Sequence, residues 1–588
     1  MVNATINGKA IQVPENTTIL EAAKLNHITI PHLCYLKKVN EIGACRVCVV
    51  EIEGLDRLVA SCNTPVQEGM KIITNSPKVR QARRTNVELI LSQHNARCAE
   101  CVRSGNCELQ KTANDLGINT FPYHEDIAAF NWNSDFPLIR NDDKCIKCMR
   151  CVNICEKVQQ MNVWDIAKSG SRTTVGVTGG KKITDPEVHC TVCGQCITHC
   201  PVGALVERDD TQKVRDAFAK GDKIMIASVA PAVRTSWGEQ LGLSHEEASA
   251  ERLASALRAV GFNYVFDTDF SADLTIMEEG SEFVQKLKNV AAGKAEKFPM
   301  FTSCCPGWVR FIKMEYPDLV PQLSSAKSPQ QMFGAIIKSW YAQILGVEAD
   351  KIYHVSFMPC TAKKYECDVD CMDSSGARDV DVVLTVRELD RLIRSEGIDV
   401  KSLEDGEFDA PLGTASGAGH IFGTTGGVME AALRSAYYLV TGKNPDANAF
   451  RYVRDYDGIK ETEFEIAGKK LRIGVAHGLG NIRKLCEDVR NGRVQYDFVE
   501  CMACPTGCAG GGGQPIEEGK ELGEGRGKIL LDMDRNMKLR FSHENPSIVQ
   551  CYKEYLGEPL GEKSHHLLHT NQEEWELWKE QQKLFPRQ

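Results

Sequence analysis

Cysteine is the residue whose number and spacing point to chemistry: 25 of 588 residues, many separated from the next by only two positions. The count is odd, and Met1 to Val13 has neither the basic nor the apolar stretch of an export signal, so a disulfide framework explains little. Grouped thiolates suit soft metals, and fifteen of the cysteines precede residue 201. Cys145, Cys148, Cys151 and Cys155 follow C-x2-C-x2-C-x3-C, and Cys190, Cys193, Cys196 and Cys200, with Pro201 behind it, repeat that spacing.

Two-cluster ferredoxins use this spacing, three thiolates of each run wrapping one cubane while the fourth reaches across to the other. One 4Fe-4S cluster is therefore expected on Cys145, Cys148, Cys151 and Cys200, and a second on Cys190, Cys193, Cys196 and Cys155. Glu156 stands where a proline is common. Zinc fits less well, because tetrahedral sites usually separate their C-x2-C pairs by a longer loop. Cys34, Cys45, Cys48 and Cys62 give C-x10-C-x2-C-x13-C, a soft set suited to a 2Fe-2S centre, with zinc the alternative. His94, Cys98, Cys101 and Cys107 form H-x3-C-x2-C-x5-C, in which an imidazole one helical turn before a thiolate pair can serve as fourth ligand.

The elements that must position these groups divide the chain into several domains. Asn7-Gly8 predicts a hairpin turn and Thr18 with Glu21 a capping box on a helix over 19–25. Residues 78–125 read as helical, and their basic cluster, Lys78, Arg80, Arg83 and Arg84, reads as a solvated helix face rather than a docking patch. From about residue 222, apolar runs alternate with helical stretches, the pattern of an α/β sheet domain. Strands are predicted over 223–229, 263–267, 299–302, 354–358, 380–385, 472–476 and 496–500. Three run directly into cysteine-bearing turns: Cys304 and Cys305; Cys360; and Cys501, Cys504 and Cys508. Ligands of open α/β sheets sit beyond strand carboxyl ends, so three turns distant in sequence can share one site. Four thiolates, Cys305, Cys360, Cys504 and Cys508, suffice for a third cubane, and the glycines 510–513 suit close approach of backbone to a bulky inorganic group.

Residues 1–205 resemble the iron-sulfur subunit of NADH dehydrogenases and the front half of long iron-only hydrogenases, a likeness on which the ligand role of His94 also leans. Thr302-Ser-Cys-Cys-Pro-Gly-Trp308, Met358-Pro-Cys-Thr-Ala-Lys-Lys-Tyr-Glu366 and the run from Glu500 through Cys508 to Pro515 resemble the three signatures of iron-only (FeFe) hydrogenases. This resemblance implies an H-cluster, a cubane joined through Cys508 to a di-iron unit with CO and cyanide ligands. It further implies that Cys304 passes protons, that Glu279, Glu282 and Ser324 relay them to solvent, and that Lys363 donates to a cyanide. Met358 and Met502 would shield the di-iron unit, with Ala230, Pro231, Gln330 and Phe422 as pocket walls. Some relatives have serine where this chain has Ala232. Cys367, Cys371, Cys486, Cys501 and Cys551 are expected to be structural.

The expected architecture is multidomain α+β and α/β: a 2Fe-2S ferredoxin-like domain (1–77), a His/Cys3 4Fe-4S domain (78–125), a two-cluster ferredoxin domain (138–208), a hydrogenase domain (222–530) and a C-terminal helical segment and tail (531–588) with Trp575 and Trp578 as packing residues. In total this implies one 2Fe-2S cluster, three 4Fe-4S clusters and the H-cluster. The glycines of Gly474 to Gly480 miss the dinucleotide pattern and no phosphate loop occurs, so NAD or flavin is expected only on partner subunits. Ferredoxin is the other expected partner. A net charge of -9 gives no general attraction to nucleic acid, and no apolar run approaches the roughly 18 residues needed to cross a bilayer, so a cytoplasmic protein is expected. Reversible H2 conversion leads the functional readings. The alternatives are a stand-alone ferredoxin hydrogenase, an electron-transfer subunit of an NADH or formate dehydrogenase, an iron-sulfur assembly protein and a sensory relative.

Overall fold

The computed structural model describes every residue except 124–126, 128–131, 455–456, 518–520 and 574–588, so Trp575 and Trp578 lie outside it. At the front, β1 (Val2–Ile6), β2 (Lys9–Val13), β3 (Val49–Ile52), β4 (Val59–Ala60) and β5 (Lys71–Ile73) form one sheet in the order β2-β1-β5-β3-β4. Asn7 and Gly8 turn the first hairpin with φ of 53° and 80°, the left-handed geometry a two-residue turn requires. Only half of the expected capping box forms. The Thr18 hydroxyl accepts from Glu21 N at 3.3 Å, but the Glu21 carboxylate is taken by the Tyr35 hydroxyl at 2.9 Å.

Residues 78–125 are less helical than their sequence suggests: Pro77–Leu91 and Glu108–Asp115 are α-helices, and the stretch bearing His94, Cys98 and Cys101 is turn with one short 3-10 segment. The basic cluster is a solvated face only in part: Lys78 and Arg80 are exposed. Arg83 is buried and donates to the carbonyls of Val47, Val49 and Thr74 at 3.0, 3.1 and 3.3 Å, pinning the first sheet to the helix, while Arg84 pairs with Glu88 at 2.8 Å. The two cysteine runs are framed by two small antiparallel pairs among β6 (Leu138–Arg140), β7 (Trp164–Ala167), β8 (Thr174–Val177) and β9 (Leu205–Glu207), with β6 against β9 and β7 against β8.

All seven strands expected in the back half are present, but they build two sheets, not one. They are β10 (Ile224–Val229), β11 (Tyr264–Asp267), β12 (Met300–Phe301), β13 (Ile352–Met358) and β14 (Val382–Thr385), then, after an unforeseen β15 (Ile459–Ile466), β16 (Lys469–His477) and β17 (Phe498–Met502). The orders are β11-β10-β13-β14, all parallel, and β12-β17-β16-β15, with β15 antiparallel. β15 alternates Lys and Glu with apolar residues on an edge; its partner, β16, supplies what its own sequence lacks.

The helix Thr268–Ala291 runs between the two sheets. Phe270 and Leu274 join the core with Ile226 and Phe266, while Ala272, Ile276 and Phe283 join that of Met300, Val475 and Phe498. Burial on both sides accounts for its near-continuous buried run from Thr268 to Gly280. No helix among the described residues is long and apolar enough to cross a membrane.

Candidate active site

The cysteine-bearing turns leave the carboxyl ends of β12, β13 and β17, strands drawn from both sheets, and they meet at one cavity of about 730 Å³. Cys305, Cys360, Cys504 and Cys508 all line it, as do Cys304 and Lys363. The apolar wall comes from Ala230, Pro231, Met358, Phe422 and Met502, with Gln330 among them. Thr268 and Ala272 also line it, and sequence reasoning missed both.

The donor set suits a metal cluster. Burial pushes the Cys360 thiol up to about 12, and burial followed by Cys360, Cys193, Cys305 and Cys508 raises Cys504 well above the ordinary thiol range. Thiols held this close in an apolar cavity ionise readily only against the positive charge of bound metal.

Lys363 does reach the cavity, but its ammonium also donates to the Cys304 carbonyl at 3.1 Å and pairs with Glu366 at 2.9 Å. The glycine run has a second reason besides the expected one. A Cβ on Gly510, Gly511 or Gly512 would meet the Pro505 carbonyl at 2.2 Å, the Pro359 carbonyl at 2.3 Å or the Cys193 carbonyl at 2.4 Å. The side chains are absent because backbone packs on backbone there; only Gly511 of these also touches the cavity.

Glu279 and Glu282 lie on the helix Thr268–Ala291, and Glu279 is fully buried rather than on a solvated face. Its carboxylate accepts from Ser303 N at 3.2 Å. Burial, then the Glu282 carboxylate, pushes Glu279 up to about 8, while the Ser303 N–H and Ser324 hydroxyl act the other way. Ser324 donates to Glu282 at 2.7 Å. Burial and then Glu279 raise the Cys304 thiol well above its usual value. Beyond Glu282 opens a cleft of about 1000 Å³, lined also by Lys286, His565, His566 and His569. Cys304 thus lies on the cavity and Glu282, bonded to Ser324, on the cleft, with Glu279 close enough to Cys304 and Glu282 for their charges to act on one another.

The front cysteines group as follows. Cys34 contacts the thiols of Cys45 and Cys62, and Cys48 that of Cys62. Burial raises Cys151, and Cys148, Cys145 and Cys200 add to it; Cys196 is raised likewise by burial, then by Cys193, Cys190 and Cys155. The fourth cysteine of each run therefore sits with the other run's first three. His94 Nδ1 faces the Lys144 carbonyl at 3.0 Å, which leaves Nε2 for ligation, and burial lowers its pKa toward the neutral imidazole a metal takes.

Contacts between groups were not legible in the sequence. Asn40 donates to the carbonyls of Cys34 at 2.6 Å and Cys148 at 2.9 Å, tying the first domain to the first cubane run. Arg103 donates to the Cys200 carbonyl at 3.3 Å, and a Cβ on Gly203 would come 2.7 Å from the Cys101 sulfur. The second run reaches the cavity itself: Cys504 lies 3.7 Å from the Cys193 carbonyl, and Arg310 holds the Cys190 carbonyl at 2.8 Å. The helix behind Gly478 is turned toward this region too; Leu479 N donates to Gln159 at 2.9 Å, and a Cβ on Gly480 would meet the Val158 carbonyl at 2.5 Å. Cys367, Cys486, Cys501 and Cys551 are buried outside the cavity wall, and Cys371 is exposed.

Comparison with known proteins agrees with this layout. Residues 223–512 match the C-terminal domain of the iron-only hydrogenase large subunit and residues 520–573 the iron hydrogenase small subunit. In front, 1–77 match a 2Fe-2S iron-sulfur cluster binding domain, 83–121 the NADH-ubiquinone oxidoreductase-G iron-sulfur binding region and 144–204 a 4Fe-4S dicluster domain. The helix Gly523–Asn536 crosses the boundary expected at 530. The NADP-reducing hydrogenase subunit HndD of Solidesulfovibrio fructosivorans is 47% identical over 97% of this chain and 98% of its own. Iron hydrogenase 1 of Clostridium pasteurianum is 39% identical over 97% and 99%. A solved FeFe hydrogenase from Chlamydomonas reinhardtii is 44% identical, with a TM-score of 0.55 over 61% of this chain and 98% of that one. Likeness at this identity along nearly the whole length, with the signature cysteines gathered at one cavity, means that the chain belongs to the iron-only (FeFe) hydrogenases, as a catalytic subunit preceded by iron-sulfur domains.

Proposed function

We propose that Cys305, Cys360, Cys504 and Cys508 would hold the cubane of an H-cluster in the 730 Å³ cavity, Cys508 being also the thiolate on which retention of its di-iron unit would depend. The observation that carries this reading is the meeting of four thiols from three separate strand ends in one apolar cavity. When bound, such a group supplies the iron centre and redox change needed to interconvert H2 with protons and electrons. The protein's own role is to exclude water and move protons. Cys304 Sγ exchanges a proton with the buried Glu279 carboxyl, Ser324 hands it to Glu282, and Glu282 exchanges it with water in the cleft.

Electrons take a parallel course through the iron-sulfur domains. The Asn40 bridge and the Cys101–Gly203 contact support two inlets, from the 2Fe-2S centre on Cys34, Cys45, Cys48 and Cys62 and from the His94, Cys98, Cys101 and Cys107 cluster, joining at the first cubane. The second cubane then abuts the active site at Cys193. One 2Fe-2S cluster, three 4Fe-4S clusters and the H-cluster amount to about 20 irons per matured chain. The name of the relative, a subunit of an NADP-reducing hydrogenase, supports membership in a hetero-oligomer. Flavin and NAD(P) would sit on its other subunits, because the glycines of Gly474 to Gly480 miss the dinucleotide pattern, and ferredoxin would be a further partner. The test is to purify the matured chain alone and with co-eluting subunits, measure iron, and assay H2-dependent reduction of a dye, ferredoxin and NAD(P). The single chain should reduce dye or ferredoxin only. NAD(P) reduction by the single chain would overturn the assignment of NAD(P) to partners, and substantial zinc would overturn the cluster assignment.

A further inference from the structure

Thr268 opens the helix that carries Glu279 and Glu282, and it is 1% exposed. It lines the active-site cavity together with Ala272, its neighbour one turn along the same helix face. Its hydroxyl oxygen is buried and has no hydrogen-bond partner among the described residues. Most buried hydroxyls have a partner, so an unpartnered one on a residue of the cavity wall points to a bound group as that partner.

Other polar side chains of this wall are engaged within the protein. The Gln330 amide donates to the Lys363 carbonyl at 3.2 Å and to Glu366 at 3.1 Å, and its oxygen accepts from Ser356 at 3.1 Å. Lys363 is held by the Cys304 carbonyl and Glu366. The loop Ala230-Pro231-Ala232 on the same cavity offers no side-chain donor. That loop is fastened to the start of Thr268's helix, because Arg234 pairs with Asp267 at 2.6 Å. Thr268 is thus fixed beside a loop that supplies no side-chain donor.

We propose that the Thr268 hydroxyl is a cofactor-binding donor that fixes a cyanide ligand of the di-iron unit, a role that rests on the H-cluster reading above. A metal-bound cyanide keeps a lone pair and negative charge on nitrogen and accepts a hydrogen bond well, whereas the oxygen of bound CO accepts poorly. The amino end of a helix favours negative charge in the same direction.

The test is infrared spectroscopy of matured holoenzyme carrying Thr268→Val, which keeps shape but removes the hydroxyl, and Thr268→Ser, which keeps the hydroxyl. Valine should shift a cyanide stretching band to lower wavenumber, and serine should leave it at the wild-type position. Adding Ala232→Ser to the valine variant should move the band back toward wild type. If the valine variant has lost the bands while the serine variant keeps them at equal iron content, the hydroxyl is required to retain the group and the proposal stands. Cyanide bands unmoved in the valine variant, or lost equally from both, would overturn it. A wild-type holoenzyme without CO or cyanide bands would refute the H-cluster reading itself, a failure visible before any variant is compared.

Discussion

Replacing Glu279 by glutamine should separate proton delivery from cluster assembly. Burial and the nearby Glu282 carboxylate hold Glu279 at about 8 rather than at its ordinary 4.5. At pH 7 roughly nine in ten molecules then carry a proton on Glu279, against about one in 300 for an ordinary glutamate. The two directions of turnover need opposite forms. H2 formation needs the protonated acid, so its rate holds below about pH 8 and falls roughly tenfold per unit above. H2 oxidation needs the empty carboxylate, so its rate climbs roughly tenfold per unit toward pH 8 and then levels. An amide can neither give nor take that proton, and Glu279→Gln should lose roughly 10²–10⁴ in both directions, together with the break near pH 8. Iron content and the infrared bands of the holoenzyme should stay. The assay is H2 evolution and H2-dependent dye reduction from pH 6 to 10 in one mixed buffer. Wild-type rates in the glutamine variant, or a break near pH 8 that survives the substitution, would refute Glu279 as a proton carrier.

Cys304→Ala should keep metal content but lose most turnover, since it removes a proton-transfer group and no proposed ligand, whereas Cys508→Ala should lose the di-iron unit; the two are told apart by iron analysis and infrared spectra, and near-wild-type H2 production by the Cys304 variant would refute its role. Gly512→Ala places a Cβ 2.4 Å from the Cys193 carbonyl and 2.6 Å from Gly194 Cα, so the loop of the second cubane must move. Its H2-dependent ferredoxin reduction should drop severalfold at unchanged iron content, and an unchanged rate would show the contact to be dispensable. Arg83→Met leaves the carbonyls of Val47, Val49 and Thr74 unpaired and should weaken the junction of the first domain by about 3 kcal/mol, read as faster proteolysis near residue 77 in the holoenzyme.

Much of this molecule was legible because its cysteines are local: each front run carries its own spacing, and the apolar alternation marks the seven back strands. What spacing could not carry was partnership. β15 becomes a strand only against β16, and the seven expected strands divide between two sheets because periodicity records burial, not neighbours. Arg83 resembles its neighbours Lys78 and Arg80 in sequence, yet three carbonyls from two distant segments bury it. The glycines 510–513 suggested a cofactor's approach, but the backbone packing against Pro359, Pro505 and Cys193 that also demands them was not legible. Gathering the cysteines behind β12, β13 and β17 at one cavity followed from the rule for strand ends together with resemblance to known signatures, whereas nothing in the sequence around Thr268 marks its hydroxyl as unpartnered.

One helix, Thr268–Ala291, bears Thr268 and Ala272 at the cavity, then Glu279 and Glu282, and finally Lys286 at the cleft. At about 1.5 Å per residue these positions span roughly 27 Å, so the cavity wall, the two carboxylates proposed to carry protons and the cleft are set along a single rod. Its phase is fixed by the α-helical repeat: inserting or deleting one residue between Ala272 and Glu279 would rotate everything downstream by about 100° while leaving the cavity end in place. A four-residue insertion would restore the facing to within roughly 40° but displace Glu279 from Cys304 by about 6 Å. Length changes in this helix are therefore far less tolerable than in the loops around it, even at positions where the substituted side chain touches nothing of the site.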